Sequence, residues 1–66
     1  MTVPKELQDK WNELYSTGDF EAIARKYGFT NETIRSSFNK AECSDKVFAA
    51  IAGFYKEKEE MIEKFL

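Results

Sequence analysis

Few residue types in this chain could carry covalent chemistry. Its 66 residues hold a single thiol, Cys43, and no histidine, against ten Lys/Arg and twelve Asp/Glu. A nucleophilic triad needs a base beside its nucleophile, and no imidazole is available to serve Cys43. Structural zinc needs four Cys/His ligands, which one cysteine cannot supply, and an internal disulfide framework is excluded on the same ground. Glu59, Glu60 and Glu63 bring carboxylates together, but in a stretch that offers no pocket, where a solvated helix face is the simpler reading. There is no glycine-rich phosphate loop, and a chain this short has little room to enclose a substrate pocket of the usual ~300 Å³ or more. The expectation is a non-enzyme with no cofactor, no metal and no small-molecule substrate.

The remaining chemistry is that of charge and hydrogen bonding. Net charge is −2 and the isoelectric point is about 5.1, but the charges are unevenly spread. Residues 1–24 hold two basic and five acidic side chains, and residues 47–66 hold three and four. Residues 25–46 hold five basic side chains (Arg25, Lys26, Arg35, Lys40, Lys46) against three acidic, so the positive charge gathers in the middle of the chain. The N-terminus lacks the basic start and apolar run of a secretory leader. No apolar stretch approaches the ~20 residues that cross a bilayer. A reducing cytoplasmic setting with no membrane partner is expected.

Positioning these groups falls to a small core. A chain of this length buries only roughly 60% of the surface that its unfolded form exposes. The 42% hydrophobic and 15% aromatic content is enough for one such core. Every segment reads as helix, none alternates with period two, and there are no repeats or linkers. Thr2-Val3-Pro4 offers a hydroxyl cap and a first-turn proline. Leu7, Trp11, Leu14 and Tyr15 then form an apolar stripe, predicting helix 1 over about 4–16 with Ser16-Thr17-Gly18 ending it. Asp19 is expected to cap helix 2, about 20–27, with Phe20, Ile23, Ala24 and Tyr27 inward and Gly28 closing it. Thr30 caps helix 3, about 31–39, with Ile34 and Phe38 inward. Ser44 caps a longer helix 4, about 45–64, whose stripe of Val47, Ile51, Phe54, Met61 and Phe65 is interrupted by Lys58. Gly53 inside this helix costs ~1 kcal/mol relative to alanine, which close packing by a neighbouring element would offset. The fold class is therefore all-α: one compact four-helix domain over 1–66.

The segment from Phe20 to Asn39 has a specific geometry. Two short helices crossing steeply need a small residue at their contact, and Ala24 supplies it. The turn between them needs a residue that tolerates positive φ, and Gly28 does. Ile23, Tyr27, Phe29, Ile34 and Phe38 bracket the turn as core. This spacing resembles the helix-turn-helix of phage Cro and repressor proteins and related small bacterial regulators. Ala24 stands four before the turn glycine Gly28, and the apolar Phe29 and capping Thr30 follow it. Ile34 stands six after it, and Ser37-Phe38-Asn39 is similar to the closing segment. The match covers about twenty residues. Two features depart from the pattern: four helices stand where five are common, and no strongly basic surface is present.

The resemblance implies a small transcriptional regulator that binds double-stranded DNA sequence-specifically, with helix 3 in the major groove. The side chains facing away from Ile34 and Phe38 would then meet base edges: Asn31, Glu32, Arg35, Ser36 and Asn39. Asn suits adenine, Arg suits guanine, and a carboxylate can accept from cytosine N4. Thr30, Thr33 and Lys40 would meet phosphates at the helix ends, and Arg25 and Lys26 would neutralise backbone charge from helix 2. Each has an alternative structural role. Asn39 can end helix 3, and Glu32 can favour the helix N-terminus or pair with Arg35 or Ser36. Helix 4 carries a separate expectation. Either its first half covers the core while its second half frays or folds back on Trp11, or Tyr55, Met61, Ile62, Phe65 and Leu66 stay exposed and form a homodimer interface. A protein-interaction module on the same scaffold, without DNA binding, is the competing reading.

Overall fold

Helix boundaries in this chain follow from a few local hydrogen bonds. The computed structural model describes residues 2–65, and over them four helices run in order: α1 (Lys5–Leu14), α2 (Asp19–Tyr27), α3 (Asn31–Lys40) and α4 (Asp45–Lys64). The Thr30 hydroxyl accepts from the Thr33 N–H at 3.2 Å and opens α3. Ser44 does the same for the Val47 N–H at 3.4 Å and opens α4. Gly28 closes α2 at φ 80°, a left-handed conformation that costs glycine nothing. There the N–H groups of Gly28 and Phe29 both bond the Ala24 carbonyl, at 2.9 Å each. These are the caps that the sequence predicts.

Four boundaries differ from expectation, the first at α2: Asp19 is its first residue rather than its cap, and Gly18 holds the cap position with no side-chain acceptor. Thr2 does not cap α1: Pro4 occupies the cap position without a side-chain acceptor. Thr2 instead forms an isolated antiparallel bridge with Glu42, and the Val3 N–H donates to the Ala41 carbonyl at 2.7 Å. The N-terminus is thereby tied to the α3–α4 loop, with Val3 buried beneath. At its other end α1 stops at Leu14 rather than near residue 16, because the Ser16 N–H turns to the Asp19 carboxylate at 2.9 Å. Finally, Asn39 does not end α3. The helix continues through Lys40, and Ala41 takes the left-handed position at φ 55°.

The core gathers Val3, Trp11, Ile23, Ala24, Ile34, Phe38, Val47, Ala50, Ile51 and Tyr55. Trp11 lies at its aromatic centre, with ring centroids of Phe48, Tyr55 and Phe38 at 5.8, 6.1 and 6.2 Å. Such pairs add about 0.5–1.5 kcal/mol each beyond their buried area. Of the five residues expected to bracket the α2–α3 turn, Ile23, Ile34 and Phe38 are buried and Phe29 is half-buried. Tyr27 is not core. It sits at the surface end of α2, with the Lys26 ammonium 5.5 Å from its ring centroid. Its hydroxyl crosses Gly53 so closely that a Cβ there would meet it at 3.2 Å. That contact is the close packing expected at Gly53.

The long helix α4, ~30 Å by its residue count, touches each of the other three and matches the longest dimension of the molecule, 32 Å. Its first half covers the core. The second half does not fray: it stays helical to Lys64 and lies along α1, where Tyr55 stacks on Trp11 at 6.1 Å and Glu59 pairs with Lys10 at 2.9 Å. No helix among the described residues is long and apolar enough to cross a membrane.

Candidate nucleic-acid interface

The α2–α3 pair is the most closely associated in the fold, joined by a turn over residues 28–30. Ile34 and Phe38 of α3 are buried in the core, as is Ala24 of α2, and the opposite flank of α3 faces outward. Asn31, Glu32, Arg35 and Asn39 are exposed on it, and Ser36 is half-buried. Thr30, Thr33 and Lys40, expected at the helix ends, are exposed as well, as are Arg25 and Lys26 on α2. The two threonine hydroxyls lie 2.8 Å apart and bond each other.

Three adjoining depressions show which of these residues come together. Asn31, Glu32 and Arg35 line one with Thr17, Gly18, Phe20 and Glu21. Arg25 and Lys26 line a second, which shares Gly18 and Glu21 with the first. Thr30, Glu32, Thr33 and Ser36 line a third with Ser37. The start of α3 and the exposed flank of α2 thus form one continuous surface. Asn39 and Lys40 line none of the three and stand at the far end of α3.

The electrostatics of this surface are mixed. Arg25 pairs with Glu21 one turn earlier at 2.7 Å. Lys26 pairs with Glu57 of α4, also at 2.7 Å, and the hydrogen bond to Glu57 raises the lysine's pKa. Glu32 and Arg35 form no ion pair with each other among the described residues. Glu21 beside Arg25 is legible as a helical i,i+4 pair. Glu57 beside Lys26 was not, because only the α2–α4 crossing brings them together.

A second group, not expected from the sequence, fixes the edge of this surface. Asp19 opens α2 and is 7% exposed. Its carboxylate accepts from the Ser16 N–H at 2.9 Å, the Ser16 hydroxyl at 3.2 Å, the Tyr55 hydroxyl at 3.2 Å and the Lys58 ammonium at 2.8 Å. Burial pushes the Asp19 pKa up. The Lys58 hydrogen bond, the Ser16 N–H, the Lys58 charge and the Tyr55 hydroxyl together outweigh it and hold the carboxyl below its ordinary value. Burial first, and then Asp19, push the Tyr55 phenol up. The signal available in the sequence was Lys58 itself, a cation interrupting an apolar stripe.

The same network corrects the expected dimer surface. Tyr55 is 1% exposed and belongs to the core, because it lies one turn beyond Ile51 on the inward face and its hydroxyl meets Asp19. Met61, Ile62 and Phe65 are exposed at 62%, 42% and 85%. Leu66 lies outside the described residues. No known protein family, curated protein or solved structure matches the chain.

Proposed function

We propose that this chain is a small non-enzymatic regulator that binds double-stranded DNA, with α3 as its reading helix in the major groove. The observation that carries this reading is the α2–α3 unit. Ala24 and Ile34 are both buried in the core and Thr30 caps α3, which leaves Asn31, Glu32, Arg35 and Asn39 exposed on its outer flank. Amide and guanidinium groups in that arrangement suit base edges. Thr30, Thr33, Lys40, Arg25 and Lys26 then border the groove as phosphate contacts, and a bacterial or phage cytoplasm is the compartment that such a role implies. Two copies would bind through adjacent half-sites, held by the Met61, Ile62 and Phe65 face of α4.

The test is a salt titration of binding to mixed-sequence duplex DNA. Phosphate contacts make the logarithm of affinity fall by roughly 0.9 per contact per decade of salt. Absence of binding at low salt would reject the proposal. A second reading, a protein-binding module on the same scaffold, draws support from the two ion pairs that occupy Arg25 and Lys26 and from the exposed apolar end of α4. It predicts no DNA binding at any salt.

A further inference from the structure

We infer that Glu21 and Glu57 set the DNA affinity of the α2 face by holding Arg25 and Lys26 in internal ion pairs that phosphate must displace. This rests on the DNA-binding reading above. The two residues of α2 best suited to neutralise phosphate are the two that already hold a carboxylate at 2.7 Å. All four side chains are at least 48% exposed, so both pairs lie where a phosphate could reach them. Pairs of this kind are weak enough to exchange. The acidic balance of the chain is thus compatible with a phosphate-binding flank, because two of its carboxylates act as resident counter-ions for two of its cations.

The two pairs differ in origin. Glu21 acts from the same helix and tunes Arg25 whatever the rest of the fold does. Glu57 acts from α4 and reaches Lys26 only while α4 stays docked on α2, beside the Tyr27–Gly53 crossing.

The experiment measures binding of the full chain, and of Glu21→Gln, Glu57→Gln and the double variant, to one mixed duplex between about 20 and 300 mM salt. Glu13→Gln, an exposed α1 carboxylate with no ion pair among the described residues, controls for the change in net charge. Each single variant is expected to bind roughly 2- to 5-fold tighter at low salt, the range set by the strength of an exposed pair. The double variant should gain about tenfold, and the gains should shrink as salt screens the charges. Circular dichroism checks that every variant is folded. If wild type binds but the paired variants bind no tighter than it, or no tighter than Glu13→Gln, the inference fails and DNA binding stands. If wild type does not bind at the lowest salt, the DNA-binding reading fails and the inference fails with it.

Discussion

Replacing Asp19 tests the reasoning about how α2 is held to α4 and to the α1–α2 turn. Asp19→Ala removes the acceptor for the Tyr55 hydroxyl, on a residue only 1% exposed. A buried donor left unsatisfied costs about 1–3 kcal/mol. It also removes the anion 2.8 Å from the Lys58 ammonium. Breaking a fully buried pair costs about 3–5 kcal/mol, but the Lys58 side chain is 24% exposed and keeps the Ser16 hydroxyl at 2.8 Å. Its share is therefore about 1 kcal/mol after screening by solvent. The expected loss is about 2–4 kcal/mol, a large part of the roughly 3–10 kcal/mol that a chain of this size commands.

Urea denaturation followed by the fluorescence of Trp11, the sole tryptophan and 2% exposed, reads this loss directly. Asp19→Asn keeps the shape and one acceptor, so it should lose less and remain folded where the alanine variant does not. The pH dependence gives an independent readout. The folded carboxyl is held below its ordinary value, while the unfolded one ionises near ~3.9. A depressed folded pKa contributes stability that is complete above the unfolded value and is lost as pH falls through the folded one. Wild type should therefore lose more stability than Asp19→Asn as pH falls below about 4. An alanine variant within about 0.5 kcal/mol of wild type, or parallel acid profiles for wild type and the asparagine variant, would refute the argument.

Other outcomes follow from single positions. Ala41→Gly should stabilise the domain by about 0.5–1 kcal/mol in the same denaturation assay. It relieves about 1–2 kcal/mol of left-handed strain at φ 55° and gives back part of that in unfolded-chain entropy. Arg35→Ala should weaken binding to a selected DNA site by about 1–3 kcal/mol and to random duplex by less; equal losses on both would make Arg35 a phosphate contact only. Phe65→Glu should abolish concentration-dependent self-association in sedimentation equilibrium, whereas a wild type that stays monomeric to millimolar concentration would remove the dimer from the proposal. The same substitution should change the unfolding free energy of the monomer by no more than about 0.5 kcal/mol, since the residue is 85% exposed.

The sequence by itself determined the helices and the turn between α2 and α3. Caps and positive-φ turns are local events: the Thr30 hydroxyl finds an N–H three residues on, and Gly28 alone decides the end of α2. The apolar period then set which face of α3 turns inward. Where these local signals were silent or competed with distant partners, the tertiary structure decided. Thr2 gave up its cap to pair with Glu42, and Ala41 rather than Asn39 took the left-handed turn that holds the Val3 N–H. Tyr27 is expected inward and Tyr55 on a possible dimer face, yet Tyr55 is buried on Asp19 and Tyr27 lies across Gly53 at the surface. The charge on the proposed DNA face was decided in the same way. Arg25 meets a carboxylate one turn away, which spacing reveals, but Lys26 meets Glu57 from across the fold, 31 residues along the chain. A sequence displays pairings along one helix; pairings between helices exist only once the core has set how those helices cross.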